Sequence, residues 1–332
     1  MKSWHKSRLF GAIAVAALAL TATACGSSNS NGSGTPADPT SITVSYSEEI
    51  ADELPLWIAD EAGYFTEQGL SVKLVSLPSD QGFPALIAGQ TQLASIGGSQ
   101  ILSGVAQGAE VKTIATLTPV FPYEMWAKGV NDLKDLKGKK IGVTSSSGSV
   151  YVATLAALKE AGLTANDVNL VTLGSVTNVN NALLAGTVDA AVSHPPASAA
   201  FKAAGFKSII NLAERKVPNI NVGIATTDAF AKDHADTVTK FLTALKKAFE
   251  RELSDEKYAT EVIKAHLKEN NAEALKETYD FYAKEVLPKK PLATIEQLKS
   301  AQESLSKKNP DIQKVDLAKV IDTSFVEKVW GK

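Results

Sequence analysis

Three segments of the chain recur in the same order at nearly one spacing. VKLVSLPS (Val72 to Ser79) returns as VNLVTLGS (Val168 to Ser175), ALIAGQTQLAS (Ala85 to Ser95) as ALLAGTVDAAV (Ala182 to Val192), and KTIATL (Lys112 to Leu117) as KSIINL (Lys207 to Leu212). The offsets fall between about 95 and 97 residues, and the chance likeness of any two βαβ units explains one such echo but not three in register. Strand and helix patterns alternate through both copies, which is the mark of α/β architecture. The first copy opens with ITVSYS (Ile42 to Ser47) and the second with KIGVTS (Lys140 to Ser145). Gly89 and Gly186 each follow an apolar helix face and fit helix C-caps, where a left-handed backbone is easiest without a Cβ.

Two similar lobes imply a cleft between them. The polar stretch Asn131 to Lys137 reads as the linker, and the chain reads as returning near Asn219 to Thr227. This predicts a discontinuous first lobe over residues 41–130 plus 226–332 and a second lobe over 131–225. The last hundred residues are mostly helical in pattern, as in KFLTALKKAFEREL, and are expected to wrap the first lobe. Two chain crossings make a hinge.

The N-terminus carries an address. Lys2, Lys6 and Arg8 precede an apolar run from Leu9 to Leu20, then small residues lead to Cys25, the single cysteine of the chain. The run is short for a membrane span and has the flanks of a signal peptide over residues 1–24. Cys25 stands where a bacterial lipobox places its lipidated cysteine, although Ala22 occupies a position where Leu is usual. Residues 25–40, rich in Gly, Ser and Asn, read as a flexible lipid-anchored tether. The expected location is therefore the outer face of the cytoplasmic membrane.

Composition removes other classes. With a formal charge of -2 and no basic run, nothing points to nucleic acid. One cysteine excludes disulfides within the chain and any CxxC or zinc spacing.

Ligands of open α/β sheets meet the carboxyl ends of strands and the N-termini of the helices that follow. Four such places occur, paired by the repeat: Ser47-Glu48-Glu49 with Ser145 to Ser149, and Gly97 to Gln100 with His194-Pro195-Pro196. In TSSSGS, the hydroxyls of Ser145, Ser146, Ser147 and Ser149 and the open backbone at Gly148 suit an anion at a helix N-terminus. Ordinary N-capping by one of these serines is the plainer account. Gly98, Ser99 and Gln100 offer similar donors or simply a tight turn. Glu48 suits an amine or ring N–H, and Phe121, Tyr123 and Trp126 form either an aromatic wall or core packing. His194 has no metal-binding companion, and without a GxSxG elbow the serines read as donors rather than nucleophiles. No catalytic residue, cofactor or metal site is read from the chain.

LPLWIADEAGYFTEQGLSVKLV, DLKGKKIGVTSSSGS, LKEAGLTANDVNLVTL and ALLAGTVDAAVSHPP together resemble the nitrate/sulfonate/taurine-type binding proteins of ABC importers, also called SsuA/THI5-like or NMT1-like. The resemblance runs from about Ile42 to Leu212. It implies a type II periplasmic-binding fold and a monomer that closes on a small molecule and delivers it to an ABC permease with its ATPase. It places an anion-donor loop on Ser145 to Ser149, a first-lobe turn on Gly98 to Gln100, and a third contact on Ser193 to Pro196, where His194 replaces the usual aromatic. The family's ligands include sulfonates, taurine, nitrate and thiamine pyrimidines. Enzymes of this design that make the thiamine pyrimidine use a cysteine-rich motif that this chain lacks, and a lipoprotein that reports its ligand to a membrane sensor is the remaining alternative. Cys25→Ser is expected to release the processed protein from the membrane fraction; a variant that still pellets with membranes refutes the anchor.

Overall fold

Ten strands build two five-stranded sheets of identical topology. The computed structural model describes residues 40–146 and 148–331. The leader, Cys25, the tether up to residue 39 and Ser147 lie outside the described residues. In chain order the strands are β1 (Ser41–Tyr46), β2 (Ser71–Ser76), β3 (Leu93–Ile96), β4 (Val111–Val120), β5 (Glu124–Ala127), β6 (Lys140–Val143), β7 (Asn169–Thr172), β8 (Ala190–Ser193), β9 (Lys207–Asn211) and β10 (Pro218–Thr227). The first sheet runs β2-β1-β3-β10-β4 and the second β7-β6-β8-β5-β9. β1 pairs parallel with β2 and β3, as β6 does with β7 and β8. The repeat in the sequence is therefore a repeat in space.

The fourth position of each sheet is filled from across the molecule. After β4 the chain passes through Phe121–Tyr123 into β5, which runs antiparallel to β8 and β9 in the second sheet. β10 makes the return journey, antiparallel to β3 and β4. This corrects the expected lobe boundaries. Residues 124–127 belong to the second sheet and 218–227 to the first, so each crossing lies before the segment expected to make it. The physical reason is that a crossing strand is an internal strand, buried on both faces and hence apolar. β10 is buried from Asn219 through Thr226. Asn131 to Lys137 instead holds a short 3₁₀ turn, Leu133–Leu136, capped by Asp132, whose Oδ1 accepts from the Lys134 N–H at 2.8 Å.

Gly89 and Gly186 close the helices Ser79–Ile87 and Val176–Leu184 with φ of 70° each, as the repeat predicts. The helix Ala235–Ser254 buries Phe241, Leu242, Leu245 and Phe249 in one core with Leu54, Trp57 and Ile58 of the helix Leu54–Glu61. The rest of the tail does more than wrap the first lobe. Glu277, on the helix Ala272–Tyr279, accepts from Ser198 Oγ at 2.5 Å and Lys202 Nζ at 2.9 Å in the second lobe. Lys308 Nζ donates to the Ser146 carbonyl at 2.6 Å and lies 4.4 Å from the Tyr151 ring centroid.

Glu252 is the odd residue of the first-lobe core. It is 1% exposed, and its Oε2 has no hydrogen-bond partner. Burial alone pushes its carboxyl up to about 8 from an ordinary 4.5. A raised carboxyl leaves the folded state protonated while the unfolded chain ionises, so stability is full below pH 4.5 and is lost as pH rises toward 8. The loss is on the order of 5 kcal/mol over that window. Glu252→Gln is expected to flatten this slope, so that urea midpoints of the variant exceed those of the parent at pH 8–9 and converge with them near pH 5. Parallel curves would show that Glu252 does not carry the pH dependence.

Candidate functional site

A cleft of about 1300 Å³ lies between the lobes, at the carboxyl ends of the parallel strands. Ser47 and Glu48 enter it after β1, Ser95 to Gly97 at the end of β3, and Ser99 and Gln100 from the helix Gly98–Val105. The second lobe contributes Thr144, Ser145, Gly148 and Ser149 after β6, and Gly174 after β7. Tyr123 lines it from the crossing segment and Asn221 from β10. Gly97 is hemmed in from both lobes: a Cβ there would stand 3.1 Å from the Asn221 carbonyl oxygen of its own sheet and 3.4 Å from Ser149 Oγ of the other lobe.

The floor is acidic. Glu53 is fully buried, and its Oε2 accepts from Ser95 Oγ at 2.7 Å. Burial holds its carboxyl well above the usual range against that hydrogen bond, with Asp52 and Glu49 adding repulsion. Beside it, Asp52 accepts from Asn221 Nδ2 at 2.9 Å and from the Tyr282 hydroxyl at 2.8 Å. Tyr282 and Tyr123 are both pushed up, first by burial and then by the Asp52 charge. The amide of Asn221 is thereby fixed, and its Oδ1 is a buried acceptor without a partner. Among the described residues lining the cleft there is no lysine, arginine or histidine. No group of three or more metal-binding side chains occurs among the described residues.

The structure brings together part of the set named from sequence. Ser47, Glu48, Ser99, Gln100, Tyr123, Ser145, Gly148 and Ser149 line the cleft. Among the described residues no serine caps the helix Ser149–Glu160, whose N-cap is Gly148; the Ser145 Oγ instead accepts from the Gly148 N–H at 2.9 Å and closes the loop. Gln100 Oε1 accepts from the Gly97 N–H at 3.2 Å. The others lie elsewhere. Phe121 is wholly buried in the core, as is Trp126, which packs on Phe201. Gly98 faces Leu298 and Ile220, which leave no room for a side chain. Ser146 is outside the lining and offers its carbonyl to Lys308. His194 sits behind Tyr123 at a ring distance of 5.7 Å, with Nδ1 2.8 Å from the Pro195 carbonyl, and Pro195 does not reach the cleft wall either. Strand-end position was the signal for His194, but the crossing Tyr123 occupies the space in front of it.

Sequence reasoning missed Glu53, Ser95 and Asn221. A signal existed: Asp52 and Glu53 stand directly before the apolar LPLWIA, and Asn219 and Asn221 interrupt a strand whose neighbours are apolar. Polar residues in a buried stretch need partners, and here they partner one another.

A family model described as NMT1/THI5 like matches residues 51–258. The chain belongs to this NMT1/THI5-like family. It is 30% identical over 144 residues to a 4-amino-5-hydroxymethyl-2-methylpyrimidine phosphate synthase of Uromyces fabae, a match covering 42% of this chain and 41% of that one. The chain thus spans about two fifths of that curated relative's length. It is 26% identical to a Bacillus subtilis protein proposed to bind aliphatic sulfonates, over 82% of this chain and 84% of that one. The periplasmic aliphatic sulphonate binding protein SsuA of Escherichia coli superposes with a TM-score of 0.71 at 19% identity, covering 86% of this chain and 92% of that one. That likeness shows the fold, the periplasmic-binding architecture that the family resemblance implied and whose two lobes the repeat predicts.

The NMT1/THI5-like body described here depends on the Asp52 network to hold Asn221 at the cleft. Tyr282→Phe removes one donor from a buried carboxylate and is expected to lower stability by about 1–3 kcal/mol. A urea denaturation midpoint within error of the parent would show that Tyr282 is not needed to satisfy Asp52.

Proposed function

We propose that this protein is an extracytoplasmic solute-binding protein of an ABC importer, which closes its lobes on a small organic molecule and presents it to the permease. The observation that carries the reading is a large cleft whose hydroxyl, amide and carboxyl groups come from both lobes of a twice-crossed chain. Such a cleft is complete only when the lobes are together, so a solute that touches both shifts the molecule toward closure. Relatives named for sulfonate binding support the class. Lipid anchoring at Cys25 fits the same role. Catalysis has little support, since the Nδ1 of His194 faces a backbone carbonyl.

The charges of the cleft narrow the solute. A bare anion such as nitrate would meet Glu48 with no cationic side chain to offset it, and only hydroxyls, helix N-termini and the Glu53 carboxyl, which burial keeps toward its neutral form, to hold it. A neutral or cationic nitrogen compound would instead donate to Glu48 while accepting from Ser145 and Ser149. This favours the pyrimidine class over sulfonates and nitrate, and the pyrimidine synthases among the relatives point the same way.

Thermal denaturation of the full chain with 4-amino-5-hydroxymethyl-2-methylpyrimidine, riboflavin, taurine, ethanesulfonate or nitrate tests both steps. A ligand at one hundred times its Kd stabilises by about 2.7 kcal/mol, a clear rise in Tm. The nitrogen heterocycles are expected to give it. A rise with ethanesulfonate or nitrate alone overturns the charge argument, and no rise with any of the panel counts against solute binding of this class.

A further inference from the structure

The cleft is larger than the polar cradle at its centre. Pockets for small molecules usually enclose about 300–1000 Å³, and this one encloses about 1300 Å³. The excess runs out between the helices Ser79–Ile87 and Gly98–Val105, where the wall changes character to Pro78, Phe83, Pro84, Ile87, Gly104 and Ala109. Ile87 is 46% exposed here, one of few large apolar side chains left so open. The nearby polar side chains turn back on their own helix: Ser103 Oγ donates to the Ser99 carbonyl at 2.8 Å and Gln107 Nε2 to the Ser103 carbonyl at 3.0 Å.

Gly104 makes this arm possible. A Cβ at that position would stand 2.0 Å from Cζ of Phe83, so the ring lies directly on the helix backbone, and it is only partly buried. The repeat shows that this is particular to the first lobe. At the offset that pairs Gly97 with His194, Gly104 corresponds to Phe201, which is wholly buried, and Phe83 corresponds to Asn180, which accepts from Ser193 Oγ at 2.9 Å. One lobe thus fills and polarises the place that the other opens and lines with an aromatic ring.

We infer that the space between the helices Ser79–Ile87 and Gly98–Val105 is an apolar subsite built on Phe83 and Gly104, and that the solute has two parts, a polar nitrogen-bearing head between the lobes and a ring-sized apolar arm against Phe83. The inference rests on the solute-binding reading and adds the second half of the ligand. Gly104→Ala displaces the Phe83 ring from the helix; the overpacking is destabilising, offset in part by the higher helix propensity of Ala, and a thermal melt of the variant checks that it folds. Phe83→Asn, the residue of the other lobe, removes the apolar platform without adding bulk.

The test uses the full chain and Nile red, a flat neutral dye, followed by fluorescence. One dye is expected to bind per chain, and both variants are expected to weaken it about tenfold, the scale of burying one apolar group. No saturable binding, or equal binding by parent and both variants, overturns the subsite. Calorimetry with 4-amino-2-methylpyrimidine and its 5-benzyl derivative then joins arm to head. The benzyl group is expected to improve affinity about tenfold in the parent and not at all in Gly104→Ala. Equal affinity for the two compounds in the parent overturns the two-part ligand. If neither pyrimidine binds while the dye behaves as expected, the head assignment fails and the apolar subsite stands.

Discussion

The antiparallel pairing of β10 with both β3 and β4 is the interaction on which the rest of the molecule depends. An internal strand must have both of its edges hydrogen-bonded, and the chain fills that place in each sheet with a segment that belongs by sequence to the other repeat. The exchange ties the lobes together by two crossings and leaves the ends of their parallel strands facing a common space. It also brings Asn221 of β10 beside Asp52 of the first repeat, so the same strand that holds the fold together supplies a wall of the cleft.

The electrostatics of that wall follow from depth. Carboxyl groups on a surface are solvated and impose little on their neighbours. Glu53 and Asp52 are nearly sealed from water, so each needs a donor, and the demand is met by Ser95, Asn221 and Tyr282. Once the Asn221 amide nitrogen is committed to Asp52, the orientation of its oxygen is decided as well. A similar carboxyl cluster lies behind the cleft, where burial, with Glu277 and Glu285 adding repulsion, brings Glu124 to about 7 despite Ser208 and Lys202.

The two lobes share a backbone plan but have diverged in what they offer. The second lobe fills its interior with Phe201 and Trp126, while the first keeps a glycine under Phe83; Ile87 and its counterpart Leu184 are exposed alike. Pseudosymmetry therefore holds for the sheets and breaks down locally at Phe83 and Gly104. The C-terminal helices support both, burying the long Ala235–Ser254 stripe on the first lobe while Glu277 and Lys308 reach the second.

Fold class, the internal repeat and the capping glycines were legible in the linear sequence because they are periodic and local: apolar spacing and a left-handed φ at Gly89 and Gly186 need only neighbouring residues. Part of the cleft was legible for a related reason, since loops at the carboxyl ends of parallel strands, such as the one that carries Ser145, Gly148 and Ser149, open on one side of such a sheet. Tertiary structure alone decided which loop residues reach the cleft. Tyr123 displaces His194, Leu298 and Ile220 press on Gly98, and Lys308 takes the Ser146 carbonyl, each through a contact between segments remote in the chain. The lobe boundaries belonged to this second class as well. A crossing strand is buried at both ends of its journey, so its composition is that of a core strand, and only its hydrogen-bond partners show that it has changed sheets.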